Sequence, residues 1–181
     1  MLNRIVLFFT LLSSIGISTF AQNKALSLDG YGSWCETKID GNFLPQTISV
    51  WFYCRNINAF GTVIDSDSCG KNGMGLEVNY SRRDPGRLSI DYHNGFFDTG
   101  YTIDAYTWYH ATLVYTLDDV KLYINGDLTY SALIKKSELD GGLIRLGRHC
   151  VEGETNGFFN GLIDEVSIWN MALDEKSVKR Y

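Results

Sequence analysis

The stretch TWYHATLVYTLDDVKLYINGDL, Thr107 to Leu128, decides how the chain is read. Val120, Leu122 and Ile124 alternate with Lys121 and Tyr123. A period of two marks a half-buried strand, because successive side chains leave a strand on opposite faces. Trp108–Tyr115 reads as a second strand, and Leu117–Asp119 leaves only a tight turn between the two. At the far end Asn125-Gly126 marks a type I′ hairpin, since both residues tolerate positive φ.

The same period runs outward from this hairpin. In TISVWFYC (Thr47–Cys54), Ile48, Val50, Phe52 and Cys54 share one face, and Ser49, Trp51 and Tyr53 the other. GRLSIDYH sets Leu88, Ile90 and Tyr92 against Ser89, Asp91 and His93. Shorter runs at 25–28, 34–39, 62–66, 75–80, 143–146 and 159–169 bring the set to about ten strands. The chain's 18 glycines and 2 prolines suit many tight turns and few rigid loops. Short strands with regular turns predict an all-β antiparallel sandwich or barrel. A short C-terminal helix is expected at Glu175–Arg180, capped by Asp174, with acids first and bases last.

Residues 1–21 read differently. Arg4 precedes an apolar segment from Ile5 to Phe20, which ends in STFA with Thr19 and Ala21 as small residues at a cleavage site. This is the pattern of a secretory signal peptide, and it is shorter than the roughly 20 residues that span a bilayer. Cleavage is expected after Ala21, with one domain over residues 22–181 and a secreted, extracellular or periplasmic product. The net charge is −5, and the densest basic run, SRRDPGR, carries its own Asp84. A nucleic-acid partner would ask for a basic face, so none is expected. The four cysteines, Cys35, Cys54, Cys69 and Cys150, are even in number on an exported chain, which predicts two disulfides. Of three connectivities, Cys35–Cys54 (strand with strand) and Cys69–Cys150 (loop with loop) are preferred.

Five segments resemble one family, in its order: ALSLDGYGSWCET, TISVWFY, TWYHATLVYTLDDVKLYINGDL, LIRLGR and FFNGLIDEVSIWNMALDEKSVKRY. They are similar to the laminin-G-like, concanavalin A-like lectin/glucanase jelly rolls over essentially all of residues 22–181. The chain departs from that pattern in its four cysteines and in Cys35, where an aliphatic residue is usual. The resemblance implies two stacked antiparallel sheets, with first and last strands adjacent. It also implies a binding function, for glycans, matrix proteins or other domains, although some members of the broader fold cleave polysaccharides.

The residues argue against catalysis. Hydrolases of this fold carry Glu-x-Asp-x-Glu on one strand, and a retaining mechanism needs two carboxyls ~5 Å apart. Asp164 and Glu165 are adjacent, so a regular strand splits them between two faces. Asp65 and Asp67 do share a face, but at a strand end running into a Gly-rich loop. His110 belongs to the Trp-x-His strand and is expected to be structural, as are Trp51 and Trp108; Trp34, beside Cys35, is open. The expectation is a non-enzyme.

For a metal, the resemblance implies a structural calcium ion held by Asp29 and Asp164, with carbonyls such as those of Gly30 and Gly32 completing its oxygen ligands. Loop acids Asp65, Asp67, Glu152 and Glu154 form a second possibility. Turn-shaping by Asp29 is the alternative. For sugar, a site wants flat aromatics flanked by polar groups. DYHNGFFDTGY offers Tyr92, His93, Asn94, Phe96, Phe97 and Tyr101, with Arg82, Arg83 and Tyr80 alongside; burial in the core is the competing role. The preferred partner is a glycan or polysaccharide, and the alternative is an extracellular protein bound by the same surface or a sheet face.

Overall fold

The computed structural model describes residues 4–6, 24–41, 46–66, 73–92, 95–134, 142–149 and 157–180. The first strands are β1 (Arg4–Val6), β2 (Leu26–Asp29), β3 (Cys35–Asp40), β4 (Gln46–Cys54), β5 (Gly61–Asp65), β6 (Met74–Val78) and β7 (Arg87–Tyr92). They are followed by β8 (Gly95–Thr102), β9 (Trp108–Tyr115), β10 (Asp119–Ile124), β11 (Asp127–Leu133), β12 (Leu143–Leu146), β13 (Asn160–Trp169) and one helix, α1 (Glu175–Val178). A seven-stranded sheet runs β1-β13-β4-β9-β10-β11, with β2 also on β13; a six-stranded sheet runs β3-β12-β5-β6-β7-β8. Every ladder is antiparallel, as in a jelly-roll sandwich.

The alternation read from the sequence is the core. Ile48, Val50 and Phe52 of β4 bury together with Leu113 of β9 and Leu122 of β10 from one sheet. Leu76, Leu88 and Ile90 meet them from the other. A single buried leucine or isoleucine contributes about 1.5–3 kcal/mol relative to an exposed one. Asn125 (φ 52°) and Gly126 (φ 86°) make the two-residue turn between β10 and β11.

The closing strand holds a surprise at its carboxylates. β13 pairs Asp164 with Trp51 but Ser167 with Ser49, so two residues of β13 stand where β4 has one. Glu165 is the extra residue of this β-bulge, at φ 47°, and its N–H donates to Asp164 Oδ1 at 2.8 Å. The regular alternation expected for Asp164 and Glu165 is therefore broken. Glu165 is exposed, and the bulge restores Val166 to the core one residue later.

Beyond β13 the chain folds back over the outer face of the seven-stranded sheet. Thr47 Oγ1 donates to the Met171 carbonyl at 2.8 Å and accepts from Leu173 N–H at 3.0 Å. Val178 of α1 then packs with Val114, Tyr123, Trp169 and Leu173 in a second, smaller core. Asp174 caps the helix, accepting from Ser177 N–H at 2.8 Å. The helix is shorter than expected, ending at Val178.

Cys35 and Cys54 are free thiols. The bridge expected between them does not form; β3 and β4 lie in opposite sheets, and each thiol stands alone. Burial pushes the Cys54 thiol up to about 11, so it packs as a small hydrophobe. Cys69 and Cys150 lie outside the described residues. Of the expected leader, only Arg4–Val6 is described, as an edge strand on Ser167–Trp169. Among the described residues no helix is long and apolar enough to cross a membrane.

Candidate functional site: the outer face of the six-stranded sheet

Leu76, Val78, Leu88, Ile90, Ile144 and Leu146 turn inward from the six-stranded sheet. Alternation then sends Glu77, Ser89, Asp91 and Arg145 to its outer face, and a bulge between Thr62 and Ile64 of β5 brings Thr62 and Asp65 to that same face. The register assembles them into two rows. One runs Glu36, Arg145, Asp65, Gly75, Asp91, Phe96 across β3, β12, β5, β6, β7 and β8. The other runs Thr62, Glu77, Ser89, Asp98 across β5 to β8.

The middle of this face is buried. Asp65, Glu77 and Asp91 are 1%, 0% and 4% exposed, and Arg145 and His149 are both 7%. His149, just after β12, lies over the two rows. Its Nδ1 is 3.3 Å from both Asp65 Oδ2 and Glu77 Oε1. Glu77 Oε1 also accepts from Thr62 Oγ1 at 3.3 Å. Gly75 makes the room: a Cβ there would lie 2.8 Å from the Ile64 carbonyl oxygen and 3.2 Å from Asp65 Oδ1. Gly157 (φ 86°) seats His149 from above, since a Cβ on it would come within 2.9 Å of His149 Cβ. The carboxylates are felt through the sheet. The phenol of Tyr115 is raised well above its ordinary value by burial, then by Asp91 and Asp65.

Aromatic rings rim this polar floor. Tyr80 and Phe96 stack with centroids 3.5 Å apart at 18°. Phe60 meets Tyr80 edge-on at 5.5 Å, and Phe60 and Phe96 lie 5.9 and 6.3 Å from the His149 ring. The Arg82 guanidinium sits 5.8 Å over Phe60. Tyr80 is 40% exposed and Arg82 is exposed, so the rim meets solvent while the floor does not. Nearby, Arg148 lies 5.0 Å over the ring of Trp34 and 5.6 Å from that of Phe158.

The aromatic residues expected to bind ligand divide. Phe96 and Arg82 belong to the rim. Tyr92 is core instead, stacked on Tyr115 at 6.1 Å. Phe97 and Tyr101 also pack inward, against Tyr130 and Tyr109. Strand alternation decides this: Tyr92 continues the inward series of Leu88 and Ile90. His93 and Asn94 lie outside the described residues, as do Asp67, Glu152 and Glu154.

The calcium pair fails on register. Asp29 stands opposite Asn160, not Asp164. Four residues along a strand separate the two acids, about 13 Å. Asp29 Oδ1 already accepts the N–H groups of Tyr31, Gly32 and Ser33, which holds its carboxyl far below the usual range. Asp29 shapes its turn, and the residues present do not fit a calcium ion shared with Asp164.

On the opposite sheet's outer face His110 stacks on Trp51 at 5.0 Å, and its Nε2 is 2.6 Å from Ser49 Oγ. Trp51 and His110, with Asn125, Gly126, Val178 and Lys179, line a shallow cavity of about 220 Å³. Farther along, Tyr53, Tyr106 and Trp108 form an aromatic patch, with Tyr106 67% and Trp108 37% exposed. Trp108 is thus not the packed residue it was expected to be.

A family model described as the concanavalin A-like lectin/glucanases superfamily matches residues 29–179. The chain belongs to that superfamily. No match is found among curated proteins. Among solved structures, the chain is similar to domain 4 of AbnA, a GH43 extracellular arabinanase from Geobacillus stearothermophilus, in complex with arabinotriose. There the identity is 22%, the TM-score 0.69, and the alignment covers 93% of this chain and 81% of the other. It is also similar to the CBM40 of a Ruminococcus gnavus IT-sialidase bound to α2,3 sialyllactose, at 14% identity and TM-score 0.70, covering 87% and 95%. A heptameric SAP-like pentraxin from Limulus polyphemus matches at 15% identity and TM-score 0.66, covering 90% and 82%. At these identities the likeness speaks to fold. Phe96, Arg82 and Tyr80 of the rim were candidates from the sequence, but the floor was hidden, because its residues are spread from Thr62 to His149 and only the register gathers them.

Proposed function

We propose that this protein is an exported, non-catalytic carbohydrate-binding or adhesion module that holds a glycan on the outer face of its six-stranded sheet. One observation carries the reading: a solvent-open rim of Tyr80, Phe96, Phe60 and Arg82 surrounds a buried polar floor. Sugars present apolar C–H faces to aromatic rings and hydroxyl edges to charged groups, so the stacked Tyr80 and Phe96 and the exposed Arg82 match two halves of one ligand, while the buried floor holds the rim in place. The superfamily match, and the arabinotriose and sialyllactose bound in two of the similar structures, support this choice of ligand class. Burial of Asp65, Glu77 and Asp91 supports a binding role over acid–base chemistry, since a scissile bond would have to reach them. The export reading rests on the leader pattern of residues 1–21.

A glycan and polysaccharide array tests this, followed by titration of any hit. Phe96→Ala and Arg82→Ala should each weaken binding roughly ten-fold, about 1.4 kcal/mol. Release of reducing sugar from a bound polymer would overturn the non-catalytic reading. Absence of any glycan hit would overturn the ligand class.

The second reading is a protein-interaction module, and the exposed patch of Tyr53, Tyr106 and Trp108 favours it. Aromatic residues of this kind anchor protein interfaces. Capture of one extracellular protein, lost on Trp108→Ala and kept on Phe96→Ala, would select it.

A further inference from the structure

We propose that Asp65, Asp91 and His149, with Glu77 beside them, form a binding site for one divalent transition-metal ion, zinc being the probe. Each of Asp65, Asp91 and His149 offers a ligand atom, and these atoms lie within 4.8 Å of one another. Glu77 Oε1 is 3.3 Å from the same His149 nitrogen. Ligands at ~2.0–2.2 Å from an ion stand about 3–3.5 Å apart, so small rotations of side chains already in place close the set.

Charge argues the same way. Three carboxylates lie buried together on this face, an arrangement that a divalent cation suits. Arg145 is the buried cation of this face among the described residues, as the cross-strand neighbour of Asp65. Its Nε and Nη2 nevertheless form no hydrogen bond. A second, independent sign is Ser89, which stands opposite Glu77 on the same face, is 6% exposed, and has no hydrogen-bond partner for its Oγ. A buried hydroxyl without a partner costs about 1–3 kcal/mol. A metal-bound water would satisfy it.

The donor set selects the ion. Calcium takes hard oxygen ligands, six to eight of them. One imidazole with carboxylates suits zinc or another divalent transition metal better. This site shares no residue with the turn at Asp29.

The full chain, purified without a polyhistidine tag and stripped with chelator, is titrated calorimetrically with Zn²⁺, Mn²⁺ and Ca²⁺. Expected is one Zn²⁺ per chain, bound more tightly than Mn²⁺ or Ca²⁺, with a rise in melting temperature. Asp65→Asn, Asp91→Asn and His149→Ala should each weaken zinc binding by at least about ten-fold, while Asp29→Asn leaves it unchanged. Cobalt substitution of the wild-type chain covers the case in which a variant does not fold. Its visible spectrum should show nitrogen and oxygen ligation without a thiolate charge-transfer band. No zinc binding, zinc binding indifferent to all three variants, calcium preferred to zinc, or a thiolate band would each overturn the site. None of these readouts involves a glycan.

Discussion

A side chain on Gly75 would begin 3.2 Å from the carboxylate oxygen of Asp65. The glycine thus holds open the space in which two acids face each other across β6. Gly75→Ala would also press its Cβ to 2.8 Å from the Ile64 carbonyl, a backbone atom in a paired strand. Overpacking of this kind costs about 1–3 kcal/mol. The expected result is a lower urea midpoint with an unchanged slope; an unchanged midpoint would show that the strands part more easily than this.

Thr47 clasps the end of the chain with two hydrogen bonds from one hydroxyl. Thr47→Val keeps the shape and leaves the Met171 carbonyl and the Leu173 N–H unmet. The expected loss is about 1–3 kcal/mol by equilibrium denaturation, largely restored by Thr47→Ser. Equal stability of the valine and serine variants would refute the clasp.

Glu165 holds a left-handed conformation that costs an ordinary residue roughly 1–2 kcal/mol. Glu165→Gly should therefore stabilise the fold by up to about 1 kcal/mol, the gain being trimmed by the entropy of glycine. Glu165→Val should destabilise it. Should valine be tolerated as well as glycine, the bulge is not where the structure places it.

His110 makes stability depend on pH. Burial lowers its pKa below the ordinary 6.5, so the unfolded chain binds a proton that the folded chain resists. Stability is then fully present above the unfolded value and falls as pH drops through the window beneath it. His110→Gln should flatten the change in unfolding free energy between pH 7.5 and pH 5.5. Identical slopes in the two proteins would rule out His110 as the source.

Much of the fold was legible because its signals are local. The hairpin at Asn125-Gly126 and the inward faces of β4, β7 and β10 need only a period of two and a turn that tolerates positive φ. β8 escaped notice because its Gly95–Thr102 run, rich in glycine and aromatics, looks like a loop. β11 is marked only by the turn before it, because its residues alternate weakly, being mostly exposed on an edge. The bulge at Glu165 was invisible, since nothing in IDEVSIW marks an extra residue until β4 is laid beside it.

The candidate site shows the same boundary. Asp91 and Ser89 could be placed on the outward face of β7, but not beneath a histidine fifty-odd positions later. At Tyr92 two signals compete: it sits in an aromatic cluster, yet its alternation with Leu88 and Ile90 assigns it to the core, where it stacks on Tyr115.

The pairing of β2 with β13 has a consequence for biogenesis. Among the described residues Leu26–Asp29 finds its sheet neighbours only in Asn160–Ile163, and β4 also leans on β13 for one of its two ladders. During vectorial synthesis β2 must wait, unpaired, until more than a hundred further residues have emerged, and β4 must wait as long for the second of its ladders. Long-range closure of this kind slows folding and exposes strand edges meanwhile. A chain that remains unfinished until its closing strand arrives cannot lock before its last strand is made.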